Sequence, residues 1–238
     1  MKKLGILLMF AFSASVALAQ VQIKDANAQN RNITGFHGID VASGIDVLLT
    51  QGNSEGVAVS ASDPRHLERI RTEVKNGVLH IYYDNSSKDW FNNGNRKLKA
   101  YVSIKNIDVL HASSGAQVNV EGAVKSNKLD VEVSSGALIK GEFQVENMDV
   151  EQSSGSIARI SGNVAALKVE GNSGSIFDGY DLETSTCDAE TSSGSIVRVT
   201  VNKELSVDAS SGGKISYKGT GVIKNINTSS GGNVSRKS

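Results

Sequence analysis

The chain reads as an all-β protein: a single-chain, parallel β-helix-like β-solenoid with coils of ~19 residues and an N-terminal strand–helix–strand cap. Three observations point there. A Ser-Ser-Gly corner, or a close variant, recurs with glycines at Gly115, Gly136, Gly155, Gly174, Gly194, Gly212 and Gly231, at spacings of 21, 19, 19, 20, 18 and 19 residues. Apolar residues precede each corner at fixed offsets: Leu110, Val131, Val150, Val169, Ala189, Val207 and Ile226 in one series, and Leu129, Met148, Leu167, Cys187 and Leu205 in another. Polar residues alternate with them, as in LDVEVSSG and LSVDASSG, and period two is the pattern of a strand. Such a unit has room for short strands and corners but not for a helix, and it buries its apolar face only by stacking on its neighbours.

Composition agrees with a folded repeat. Glycine and serine are abundant, with 24 Gly against a single Pro, yet 39% of residues are hydrophobic and regularly placed, which separates the chain from disordered Gly/Ser-rich sequence. A β-sandwich would not repeat one corner motif seven times. Leucine-rich repeats need a Leu/Asn framework that is missing here, and GGKIS and GGNVS do not fit calcium-binding nonapeptides.

Taken in order, Met1–Ala19 has Lys2 and Lys3, an apolar centre and Ala17-Leu18-Ala19 before Gln20, which is the pattern of a secretory signal peptide. Residues 20–31 are polar and read as a loose leader. Residues 32–105 form the N-terminal cap region. Within it, Phe36–Thr50 (FHGIDVASGIDVLLT) looks like a strayed coil around Ser43-Gly44. Val57-Ala58-Val59 is a strand. Asp63-Pro64 opens a helix, with Leu67, Ile70 and Val74 on one face. Asn76-Gly77 then turns the chain into a strand over Val78–Tyr83. Residues 106–238 are the repeats.

The run FHGIDVASGIDVLLTQG, then VAVSASD, LERIRTEV, NGVLHIYY and the Ser-Ser-Gly coils, resembles the head GIN domain family of autotransporter adhesins over roughly Ile33–Ser230. The namesake Gly-Ile-Asn stands here as Gly44-Ile45-Asp46, so its last position departs from the label. The resemblance implies an exported β-solenoid protein of a diderm bacterium, in the periplasm, on the outer surface or secreted. It supplies no catalytic residues.

Lysine plus arginine equals aspartate plus glutamate at 25 each, so no basic field favours nucleic acid. The lone Cys187 excludes an internal disulfide framework and falls on an inward repeat position. Two candidate binding features stand out. Glu132, Glu151, Glu170, Glu190 and Asp208 recur four residues before the corner glycines and should stack as an outward acidic ladder, beside a broken column of Asp130, Asp149 and Asp188 interrupted by Lys168. Hard oxygen ligands suit calcium, but a line of carboxylates does not converge on an ion, so the expectation is a solvated face with no cofactor and no metal site. In the loop 84–97, Trp90, Phe91 and Asn93, with the neighbouring Tyr83, suit stacking against a sugar ring.

His37, His66, His80 and His111 show no ligand spacing, and the corner serines are structural because they recur at every coil. Partners expected on these grounds are a glycan or an envelope protein. The repeats' last coil offers an edge for self-association unless Arg236 and Lys237 blunt it. No integral membrane segment is expected after signal cleavage. Two functions compete: a non-catalytic cell-envelope binding protein, adhesin-like or purely structural, and a polysaccharide-active β-helix enzyme. The enzyme would need a localised acid/base cluster on long inserted loops, and the repeats carry evenly spread charge instead.

Overall fold

Ser-Gly pairs turn the backbone through two successive left-handed residues at every corner. Ser43/Gly44, Ser135/Gly136, Ser154/Gly155 and the equivalent pairs through Ser230/Gly231 all have positive φ, 47–66° for serine and 67–78° for glycine. In seven of the eight, the N–H after the glycine bonds the carbonyl ahead of the pair, as in Ala137 to Ser134 at 3.0 Å. This is the two-residue primed turn, whose twist suits the strands on either side. In all but the last pair the glycine N–H also donates across to the serine carbonyl of the next coil, as Gly136 does to Ser154 and Gly155 to Ser173, both at 3.0 Å. The turns are therefore hydrogen-bonded into a column of their own.

Glycine adopts this conformation freely, but serine does so at a cost of ~1 kcal/mol, and asparagine is the better-suited residue at that turn position. Ser154→Asn should accordingly raise the thermal midpoint by one or two degrees, and Ser154→Val should lower it. Thermal unfolding of the three proteins side by side checks this.

The structure, a computed structural model, describes residues 25–85 and 96–237. Its strands are β1 (Gln29–Arg31), β2 (Gly38–Val41), β3 (Asp46–Gln51), β4 (Gly56–Ser60), β5 (Ile70–Lys75), β6 (Val78–Tyr83), β7 (Lys99–Ile104), β8 (Val109–Ala112), β9 (Gln117–Val133), β10 (Leu138–Gln152), β11 (Ile157–Gly171), β12 (Ile176–Thr191), β13 (Ile196–Ala209), β14 (Lys214–Lys218), β15 (Val222–Thr228) and β16 (Asn233–Arg236). They build a β-solenoid of about seven turns. Consecutive strands β9 to β13 pair in parallel, Leu138 with Ile157, Ile157 with Ile176 and Ile176 with Ile196. The expected inward columns are buried except at the last coil, where Ile226 is exposed: Leu129, Met148, Leu167, Cys187 and Leu205, and beside them Leu110, Val131, Val150, Val169, Ala189 and Val207. Each such aliphatic side chain withdrawn from water contributes about 1.5–3 kcal/mol.

The long strands bend at two places. Irregular register near Gly141 and Gly162 marks the first. At the second, inward and outward sides exchange: Val145 and Met148 are both buried while Glu146 and Asn147 between them are exposed. The same exchange falls between Val164 and Leu167 and between Thr184 and Cys187.

The cap differs from the expected strand–helix–strand unit. Pro64–Arg69 is a short 3₁₀ turn, entered as expected with Asp63 accepting from the Arg65 N–H and with Pro64 at the first position. From Ile70 the chain is strand, not helix. Leu67, Ile70 and Val74 do fall at helical spacing, but Asn76 (φ 52°) and Gly77 (φ 77°) form a two-residue turn that closes only between two strands. Ile70 accordingly lies opposite Tyr83, and Val74 opposite Leu79.

Spatial order also departs from chain order. The coil β2–β3, turned at Ser43-Gly44, lies in the middle of the N-terminal stack: β2 pairs with β6 on one side and β8 on the other, and β3 pairs with β7 and β9. Antiparallel strands finish this end, β5 on β6, β4 on β7, and β1 on β4. The polar segment ahead of the cap thus ends in a strand, and the Tyr101 hydroxyl donates to Asp25 at 2.8 Å. No helix among the described residues is long and apolar enough to cross a membrane.

Candidate binding faces

Parallel register sets one side chain per coil at a repeat of ~4.8 Å, so any outward position becomes a column. Glu132, Glu151, Glu170, Glu190 and Asp208 are direct register neighbours, which makes the acidic ladder continuous. It is longer than the repeats alone indicate. At one end Asp208 accepts from the Asn227 side-chain amide at 2.8 Å. At the other, Glu132 lies opposite His111, His111 opposite Asp40, Asp40 opposite His80, and His80 opposite Glu73. His80 Nδ1 and Asp40 Oδ2 are 2.9 Å apart. His111 lies 3.7 Å from Asp130 and 3.9 Å from Glu132. Two histidines thus interleave with carboxylates where the cap meets the repeats. Chain spacing does not reveal this, because the strands concerned are not consecutive.

Lys168 sits within the acidic face, its Nζ 2.5 Å from Glu170. Glu170, then Asp149 and Glu190, hold its ammonium above the ordinary lysine range. Neighbouring carboxylates at this spacing repel by roughly 1 kcal/mol in water, and one lysine set among them relieves part of that. Among the described residues, no group of three or more His, Cys, Asp or Glu side chains converges to hold a metal ion. The physical reason is the register itself, which lays the carboxylates in a line.

Of the aromatic-loop residues, Trp90, Phe91 and Asn93 lie outside the described residues. Tyr83 is described and is only 3% exposed. Its hydroxyl is 2.7 Å from His66 Nδ1, and the guanidiniums of Arg69 and Arg96 each lie 4.7 Å from its ring centre. It packs in the cap wall and presents no open ring face.

The serines just past the corners, Ser156, Ser175 and Ser195, are buried and donate to carbonyls of the preceding coil, Val133, Gln152 and Gly171. They tie coil to coil. Cys187 is buried, and that burial pushes its thiol up to about 12, so it is protonated at neutral pH.

The second bend creates a feature that sequence reading did not single out: a groove of about 1090 Å³ crossing the coils. Along it lie Lys125, Gln144, Asn163, Glu183 and Asn202, with Val145, Val164 and Ala165 beside them. At its N-terminal end His37 Nδ1 and Asp108 Oδ1 are 2.6 Å apart. The one available sequence signal was the column Gln144–Asn163, one coil apart, in a segment where apolar alternation breaks.

Stacked coils with a continuous acidic column and a long lateral groove define a β-solenoid whose side-chain groups repeat along its faces. The family model described as "Putative auto-transporter adhesin, head GIN domain" matches residues 35–221, and the chain belongs to this family. No curated protein matches it. A crystal structure of a putative adhesin from Bacteroides fragilis NCTC 9343 is similar at a TM-score of 0.80 and 15% identity, over 88% of this chain and 96% of that one. A putative adhesin from Parabacteroides merdae ATCC 43184 is similar at 0.71 and 14%, over 89% and 95%. A putative lipid binding protein from Parabacteroides distasonis ATCC 8503 is similar at 0.66 and 18%, over 90% and 98%. At these identities the likeness is one of fold.

Proposed function

We propose that this protein is a non-catalytic, exported, adhesin-like head of the cell envelope that holds an extended surface partner along a face of its solenoid. The observation that carries this reading is the register: every outward position repeats at ~4.8 Å, so the faces are long, rigid and periodic, which suits a partner that is itself extended and periodic. Family membership supports the adhesin-like class. The spread of the acidic residues supports a binding role over hydrolysis, which would need two groups converging on one bond. A second reading, self-association, draws on β15 and β16. Among the described residues each pairs on one side only, and the inward-column Ile226 is 53% exposed there.

The test is retention of purified protein on immobilised envelope polysaccharide, mucin and whole-cell envelope preparations, with the supernatant assayed for new reducing ends and unsaturated sugars. Saturable retention without product is expected. Product release, or no retention on any preparation, would overturn the reading, and sedimentation velocity across a concentration series reports self-association on the same sample.

A further inference from the structure

We infer that the lateral groove at the second bend is a glycan-binding site, and that its ligand is a linear, uncharged, extended polysaccharide lying across the coils. This rests on the adhesin-like reading and names the partner and the site.

Three properties of the groove lead there. Its lining is matched to hydroxyl groups. The Gln144 and Asn163 side chains are exposed and, among the described residues, bond no protein group, so each amide offers a free donor and a free acceptor. The Asn202 amide donates to Glu183 at 2.7 Å, which fixes that carboxylate and leaves its other oxygen as an acceptor. Sugar rings need this mixture of donors and acceptors, along with small apolar surface for their C–H faces, which the exposed Ala165 supplies.

Its charge is close to balance: Lys125 and Lys128 stand against Glu146, Glu183 and Asp108, the last beside His37. A uronic acid or sulfated chain would favour a basic groove, and a polycation an acidic one; this lining favours a neutral chain.

Its repeat is commensurate with a sugar polymer. Register pairs Lys125 with Gln144, Gln144 with Asn163, and Asn163 with Glu183. One hydrogen-bonding side chain is thus presented every ~4.8 Å, close to the advance of one pyranose unit in an extended β-linked chain. A peptide fits less well. An extended peptide binds by adding to a free strand edge, and β10 to β12, the middle of the groove, are paired on both sides.

The test is calorimetric titration of the whole protein with the cello- and chito-oligosaccharide series. Affinity should rise with each added unit and level off at about five, the number of coils the groove crosses. The double variant Gln144→Ala/Asn163→Ala should bind the hexasaccharide about tenfold more weakly. Ala165→Tyr, which fills the groove, should abolish binding. Glu151→Gln/Glu190→Gln, on the acidic face, should bind as the wild type does.

Melting curves establish that the variants are folded, and Ala165→Tyr reaches the same conclusion by blocking rather than deleting. Three results would overturn the inference: no binding of either series by the wild type, affinity independent of chain length, or loss in the acidic-face variant with the groove variants unaffected. If the wild type is retained on envelope preparations while any of these holds, the groove assignment fails and the adhesin-like reading stands. If it is retained on none, that reading fails first.

Discussion

Val169→Asp is expected to unfold several coils in one step. Val169 is fully buried in the inward column between Val150 and Ala189, with Leu167 beside it on the same strand. A carboxylate there either stays ionised without a partner or takes up a proton and remains an unsatisfied polar group, and either outcome costs several kcal/mol. The core runs unbroken from coil to coil, so the damage is not confined to one repeat: β10 and β12 lose a packed neighbour together with β11. A fall in the thermal midpoint of roughly 10 °C or more should follow for a chain of this size, with far-UV circular dichroism falling in the same transition. Val150→Asp should behave alike. An unchanged melting curve would mean that the coils do not share a core.

Gly162→Ala should come next in size, for a backbone reason. Gly162 has φ of +108°, outside the region that L-residues occupy comfortably, and a Cβ there would lie 2.1 Å from the Phe143 carbonyl oxygen. No side-chain rotation relieves a clash between a methyl and the backbone, so β10 and β11 would have to separate at their first bend, beside the buried Phe143 ring. The combined cost of backbone strain and lost packing is about 3–5 kcal/mol. Gly155→Ala provides the comparison: it also has positive φ, but nothing lies within 4 Å of its added Cβ, so only the backbone term of ~1 kcal/mol applies. Equal melting points for the two variants would show that close packing at the bend contributes nothing.

Much of this molecule was legible from residue order. The coil length, the parallel stack, the inward aliphatic columns and the acidic ladder follow from one spacing, because a solenoid turns sequence periodicity directly into spatial contact. Ser43-Gly44 was legible as a stray coil for the same reason. The helix expected over Leu67–Val74 went the other way: Ile70 and Val74 suit either period, and the Asn76-Gly77 turn decided it by requiring a strand on both sides. The left-handed serines were missed because glycine is the residue that advertises such a backbone. Serine adopts it here under the constraint of the neighbouring turns, to which it is hydrogen-bonded.

By itself the sequence determined that the chain is a solenoid, where each coil begins, and which residues face in. Those are local matters of alternation and corner chemistry, repeated until chance is excluded. Only the tertiary structure decided the arrangement at the N-terminal end, where β6 and β7 fold back over β2 and β3 while β8 and β9 take their other side. It also decided which residues share a face across that junction, putting Asp40 between His80 and His111, and it made a groove out of bends that look unremarkable in any one coil. The reason is common to all three. Periodicity specifies how a coil meets its successor in the chain, whereas a return of the chain across an earlier coil, and a concavity summed over five coils, are set by packing between segments whose separation in sequence carries no regular signal.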